Sequence, residues 1–168
     1  MNDASWATAD LSDAGGPEVQ VVEGRYVDYG GSRKFCGPVV TLRIREDAAS
    51  VLRELDEPGL GRVLVVDGGG SMRCALVGER LLRVAASNGW AAIVVHGAVR
   101  DAALTAAIPV GLRALGTSPR RGESAAESAR GEVLHFAGVQ FTPGAWLWAD
   151  ADGMVVTPDS SGAPQASR

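Results

Sequence analysis

The stretch Arg62–Asp101, RVLVVDGGGSMRCALVGERLLRVAASNGWAAIVVHGAVRD, decides the architecture. It opens on RVLVVD, a nearly all-apolar run with no polar alternation, as expected of a strand buried on both faces. The segment GERLLRVAASNG then reads as a helix with Leu81, Leu82, Ala85 and Ala86 inward and Gly89 as its stop. AAIVVHG is a second doubly buried strand ending at Gly97. Strand, helix and strand in succession place the chain in the α/β class, with some parallel pairing.

Upstream, VVTLRI suits a strand ending at Arg45, and Asp47 sits where an N-cap belongs. AASVLRELDEP then forms a helix with Val51, Leu52 and Leu55 on one face, ended by Pro58-Gly59. The polar stretch DYGGSRKFCGP reads as a connection, Val19 to Val22 as a short strand, and Thr8 to Gly16 as a short helix with Leu11 and Ala14 on one side. Downstream, VRDAALTAAIP is a short helical turn broken before Pro109. Thr117 to Glu132 lacks an apolar face and reads as an exposed loop. EVLHFAGVQFTPGAWLWADADGMVVTP gives three short antiparallel strands with turns at Ala137-Gly138, Pro143-Gly144 and Asp152-Gly153. Residues 1–158 thus form one domain, a mixed sheet with flanking helices, and 159–168 a disordered C-terminal tail.

A chain of 168 residues suits a single core, and 16 Lys+Arg against 20 Asp+Glu leaves a net charge of −4. Scattered basic residues and negative charge argue against direct nucleic-acid binding. The apolar runs are far too short to span a membrane. The acidic opening residues are the reverse of a signal-peptide start, so a cytoplasmic location is expected. Cys36 and Cys74 have no local partner that indicates a disulfide scaffold or a zinc module.

Two places carry chemistry. Arg100-Asp101 follows a buried strand, where open α/β sheets present ligand-binding residues. A guanidinium can hold a carboxylate, and the adjacent carboxylate can hold a hard cation such as Mg2+. The plain alternative is an ordinary charged pair in a helix's first turn. Gly78-Glu79-Arg80-Leu81 opens a helix whose free N–H groups suit an anion, with Gly78 permitting close approach and Glu79 able to orient a water. The alternative there is a continuous helix from Ser71 with Gly78 in its interior. Asp67-Gly68-Gly69-Gly70-Ser71, placed between a strand and a helix, lacks both nucleotide-loop spacings and reads as a tight turn. Asp150 and Asp152-Gly153 lack the closing Glu of a calcium loop and read as a β-turn. His96 and His135 read as core or edge histidines, the two cysteines as small buried residues, and Trp146 and Trp148 as sharing one sheet face.

VLVVDGGGSMRCALVGERLL, GWAAIVVHGAVRD and PGAWLWADADGMVV together resemble the family of the regulator of ribonuclease E activity A and the 4-hydroxy-4-methyl-2-oxoglutarate aldolases. The resemblance covers roughly Thr8 to Pro158, and Glu79 stands twenty-one positions before Arg100 as the family's acidic residue does. It implies a swivelling-domain (β/β/α) fold in a ring-shaped homotrimer with sites near subunit boundaries. It also implies Asp101 as the ligand of Mg2+ or Mn2+, and Arg100 as the contact to a pyruvyl group. Gly78, Glu79, Arg80 and Leu81 become substrate contacts, with Glu79 and Arg100 catalytic. The implied activity is metal-dependent aldol cleavage of 4-hydroxy-4-methyl-2-oxoglutarate to two pyruvates, with oxaloacetate decarboxylation as a side activity. Family members without aldolase activity instead inhibit an RNase E-type endonuclease. Those regulators lack the Asp after the Arg, which this chain keeps. The chain departs from the aldolases at Ala145, where an Asp is usual, and in its short C-terminus.

Overall fold

The computed structural model describes residues 5–123 and 127–161. In chain order the elements are α1 (Thr8–Ala14), β1 (Gln20–Val21), β2 (Val27–Asp28), β3 (Phe35–Ile44), α2 (Ala48–Leu55), β4 (Val63–Asp67), β5 (Ala75–Val77) and α3 (Glu79–Ser87). β6 (Ala92–Val99), α4 (Ala102–Thr105), β7 (Gly111–Thr117), β8 (Ser128–Arg130), β9 (Leu134–Phe136), β10 (Val139–Phe141), β11 (Trp146–Asp150) and β12 (Gly153–Thr157) complete the chain. No helix among the described residues is long and apolar enough to cross a membrane.

The apolar runs of β4 and β6 form the centre. β3, β4, β6 and β7 pair in parallel, and alternate side chains of each strand enter separate cores. Leu64, Val66, Ile93 and Val95 pack with Val51 and Leu55 of α2 and Leu82 and Ala85 of α3. Val63, Val65, Ala92 and Val94 face the other way, against Leu134, Phe141, Leu147 and Val156 of the antiparallel strands. A strand packed on both faces cannot alternate with polar residues, which is why these runs are so uniformly apolar. Burying each Val or Leu contributes about 1.5–3 kcal/mol.

β3 joins the parallel and antiparallel parts. Its first half pairs antiparallel with β11, through Cys36 opposite Trp148, and its second half pairs parallel with β4. The strand therefore starts at Phe35, not at Val39, and the expected polar connection is partly strand. Pro38 is accommodated where the strand changes partners. The path across the sheet runs β1-β12-β11-β3-β4-β6-β7-β2, with β5 added beside β6 and β8 beside β3, while β9 and β10 form a separate hairpin. This is a mixed α/β domain with few helices.

Several expectations are corrected. The Gly68–Gly70 loop leads to β5 before α3 begins, because Ala75 and Val77 pair with the end of β6. That pairing, together with β7, carries β6 past Gly97 to Val99. The region read as an exposed loop contains β8, paired to Leu42–Ile44; its residues 124–126 lie outside the described residues. The C-terminal section has four strands rather than three. In α1 the buried residue is Thr8, and Ala14 is exposed; in α3 Ala86 is exposed and Leu81 half-buried. Thr8 is held by Asp150, which accepts its N–H at 2.8 Å and its hydroxyl at 2.6 Å. Of the expected tail, Asp159 forms a turn in which its Oδ1 accepts the Ser161 N–H, and 162–168 lie outside the described residues.

Candidate active site

The two sequence segments singled out for chemistry meet at the carboxyl end of β6. The Arg100 N–H donates to the Val77 carbonyl at 3.0 Å, extending the β5–β6 ladder to the point where α3 starts. Gly78 is the N-cap of α3, and the first intrahelical bond runs from the Leu82 N–H to the Gly78 carbonyl. The helix is thus not continuous from Ser71. The earliest N–H groups of α3 have no partner inside the helix. One of them, from Glu79, donates to Asp101 Oδ2 at 3.1 Å.

Gly78 makes this arrangement possible. A Cβ at that position would lie 2.7 Å from Asp101 Oδ2 and 3.2 Å from Arg100 Cγ. The requirement is space, since Gly78 has an extended backbone (φ −137°) that any residue adopts. Asp101 itself is left-handed, with φ 59° and ψ 36°, and its carbonyl accepts the N–H groups of Leu104 and Thr105 at the start of α4. Asp tolerates this conformation better than most side-chain-bearing residues. Arg100 Nε stands 4.0 Å from Asp101 Oδ2, with both side chains about 38% exposed.

Gly78, Arg80, Leu81, Arg100 and Asp101 line one cleft of about 260 Å³, joined on its far side by Arg121. Glu79 contributes its backbone at the cleft's edge, but its carboxylate turns to the neighbouring surface and accepts from Arg83 Nε at 2.7 Å. Arg121 was not singled out in the sequence because it lies in the polar segment read as loop. Its backbone bridges Ala75 of β5.

The donor set limits the metal chemistry the cleft suits. No three His, Cys, Asp or Glu side chains cluster among the described residues, so an all-protein zinc or calcium cage has no basis there. A single accessible carboxylate fits Mg2+ or Mn2+, which keep waters and take further oxygens from a bound substrate.

A larger opening of about 730 Å³ lies at the ends of β3 and β4, beside Gly68 and Gly69. Among the described residues, three of its five charged residues are engaged, Arg45 and Glu127 being the others. Arg43 pairs with Glu132 at 2.6 Å, Glu46 accepts from Ser71 and faces Arg73, and Asp67 Oδ1 accepts the Gly69 N–H at 2.9 Å. The glycine loop is a turn closed on the His96 carbonyl by the N–H groups of Gly68 and Gly70, with Gly69 and Gly70 at φ 68° and 72°.

The other residues marked in the sequence fall outside the cleft. His96 Nδ1 lies 2.8 Å from the Tyr26 hydroxyl, and its ring stacks on Phe136 at 4.3 Å; His135 is exposed. Cys74 is buried, Cys36 half-buried, and burial raises both thiol pKa values. Trp146 and Trp148 stand 5.5 Å apart, with Trp148 fully buried and donating to Thr157. Asp150–Gly153 forms the β11–β12 turn, in which Asp150 accepts the Asp152 N–H.

Comparison with known proteins finds the same fold. A protein of Laribacter hongkongensis, provisionally named as a 4-hydroxy-4-methyl-2-oxoglutarate aldolase, is 46% identical over 152 residues, covering 90% of this chain and 96% of its own. A crystal structure from Geobacillus kaustophilus, described as an S-adenosylmethionine:2-dimethylmenaquinone methyltransferase, is 44% identical with a TM-score of 0.89, covering 92% and 96%. The RNA-processing inhibitor RraA from Thermus thermophilis is 42% identical, also at a TM-score of 0.89, covering 92% and 94%. The profile of the RraA-like family, described as Aldolase/RraA, matches residues 8–156, nearly the whole folded chain. With one fold under three activity names, what similarity establishes is descent: this chain belongs to the RraA-like family.

Proposed function

We propose that the protein is a divalent-metal-dependent lyase that cleaves 4-hydroxy-4-methyl-2-oxoglutarate into two pyruvates and decarboxylates oxaloacetate as a side activity. The observation that carries this reading is the cleft in which the Asp101 carboxylate, the Arg100 guanidinium and the N-terminus of α3 converge around Gly78. The names of the aldolase relatives support it.

Asp101 would hold Mg2+ or Mn2+, which supplies electron withdrawal from the 2-oxo group. The N–H groups of Arg80 and Leu81 receive the substrate's 1-carboxylate at the positive end of α3. Arg100 stabilises the negative charge that develops on the 2-oxo oxygen. With its carboxylate swung away from Arg83 and into the cleft, Glu79 would hold the water that takes the proton of the 4-hydroxyl; the C3–C4 bond breaks, its electron pair forms the pyruvate enolate, and C4 becomes the carbonyl of the second pyruvate. Returning a proton to C3 completes the first. Loss of CO2 from oxaloacetate yields the same enolate. Assembly as a ring-shaped trimer in the cytoplasm belongs to this proposal.

The test is pyruvate release from both substrates by the purified protein, with Mg2+ and with chelator. Release above the metal-only background, abolished by chelator, is the expected result; background rates alone would refute the lyase reading. The similarity to an RNA-processing inhibitor favours one second reading, a regulator that binds an RNase E-type endonuclease. Salt-sensitive retention of such an endonuclease on the immobilised protein, with no lyase activity, would establish it.

A further inference from the structure

We infer that Arg121 is the specificity-determining residue of the cleft, receiving the second carboxylate of a short dicarboxylic 2-oxo acid. The inference rests on the reading of this cleft as a 2-oxo acid site, and it follows from placement, rigidity and charge.

Arg121 bridges Ala75, three residues before Gly78 on the same edge. At roughly 3.3 Å per residue the two positions are separated by about 10 Å along the strand direction. The cleft therefore has Arg100 and the α3 N-terminus at one end and Arg121 at the other. That separation suits a short dicarboxylate together with the reach of an arginine side chain.

The backbone around Arg121 is fixed although its side chain is exposed. The Ala75 N–H donates to the Arg120 carbonyl at 2.7 Å, and the Gly122 N–H donates to the Ala75 carbonyl at 3.1 Å. Gly122 is buried, and a Cβ there would come within 2.9 Å of the Glu46 carbonyl oxygen. Only glycine lets the chain lie this close to the end of β3 and to β5. An arginine carried on such a backbone loses less freedom on binding than one on an open loop.

The charges lining the cleft are Arg80, Arg100 and Arg121 against the single Asp101 carboxylate. Among the described residues, neither Arg80 nor Arg121 makes an ion pair. A monocarboxylate engages only the end near Gly78. A dianion also meets the fork of Arg121, where charge-assisted hydrogen bonds to a carboxylate are strong.

The experiment is calorimetric titration with Mg2+ present, using 2-oxoglutarate as the dianion and 2-oxobutyrate as the monoanion, on wild type, Arg121→Gln and Arg121→Lys. The wild type is expected to bind the dianion at least about tenfold more tightly than the monoanion. Arg121→Gln removes that preference while changing 2-oxobutyrate affinity less than about twofold, and Arg121→Lys restores part of it. A wild type with no preference, a preference that survives Arg121→Gln, or an equal loss for both ligands would overturn the inference. Exchange of the pyruvate methyl protons with solvent deuterium, followed by NMR, separates the two claims. An Arg121-dependent preference without exchange refutes the lyase chemistry alone; exchange with a preference intact in Arg121→Gln refutes the role of Arg121 alone.

Discussion

Asp101 Oδ2 accepts the backbone N–H of Glu79 at 3.1 Å, so the carboxylate that follows β6 is tied to the helix that precedes it. This bond joins two segments twenty-two residues apart in sequence and leaves one carboxylate at the positive end of α3.

Gly78→Ala tests that junction by bulk alone. The new Cβ meets the Asp101 carboxylate at 2.7 Å, while the backbone of residue 78 accepts alanine without strain. The expected result is a loss of at least about tenfold in kcat/KM for pyruvate release, as misplaced reacting groups typically cost. The midpoint of thermal unfolding should move by only a few degrees. An unchanged kcat/KM would show that the position of Asp101 is not critical.

Asp101→Asn separates charge from fold. Asparagine adopts the left-handed conformation at φ 59° as readily as aspartate, whereas alanine there costs about 1 kcal/mol. Asp101→Asn should therefore unfold in urea like the wild type yet lose metal-stimulated turnover, and Asp101→Ala should lose both turnover and some stability. Metal-stimulated turnover in Asp101→Asn would remove Asp101 from the metal site.

How much was legible in the sequence follows from where the forces act. β4 and β6 were readable because a strand buried on both faces needs an unbroken apolar run, and α2 because Asp47 caps it through the N–H groups of Ala49 and Ser50. Arg100-Asp101 and Gly78–Leu81 were readable as two separate segments, and the structure brings them together. β5 and β8 were missed because they are added to existing edges, where pairing outweighs weak local preference, and β7 because Gly111, Arg113 and Gly116 interrupt its apolar run. Arg113 shows the limit well. It is buried in β7, where it donates to Asp28 Oδ1 at 2.8 Å and to the Gly153 carbonyl at 2.9 Å. No local pattern reveals a cation whose partners come from distant turns. The outward turn of the Glu79 carboxylate toward Arg83 was equally hidden, since helical spacing permits the pair without requiring it.

The Glu79–Arg83 pair gives a third prediction. The pair is partly solvent-exposed and four residues apart on one helix, so it contributes only a few tenths of a kcal/mol. Arg83→Ala should leave turnover within about twofold. Glu79→Gln should slow pyruvate methyl-proton exchange on the order of 100-fold, the usual worth of a group that positions a proton-transferring water. Equal and small effects of both substitutions would place Glu79 outside the chemistry.

The pH dependence of stability turns on His96. Burial lowers its pKa below the ordinary 6.5, and the nearby Asp67 charge opposes that shift without cancelling it. The groups facing the ring are the Tyr26 hydroxyl at 2.8 Å, the stacked Phe136 and the Asp67 carboxylate. In the unfolded chain the imidazole gains its proton near pH 6.5, while in the folded protein it stays neutral to lower pH. The unfolded state thus binds more protons, and stability rises with pH across this interval. The contribution is fully present above pH 6.5 and is lost as the pH falls through the folded-state pKa. Asp150, whose pKa is held below 3.8 because its hydrogen bonds from Thr8, Asp152 and Gly153 outweigh its burial, affects stability only at much lower pH. Urea unfolding at pH 7.5 and pH 5.0 should therefore show a wild-type loss that is smaller in His96→Gln, which keeps a polar partner for Tyr26 and does not titrate. Equal losses in the two proteins would assign the pH sensitivity to groups other than His96.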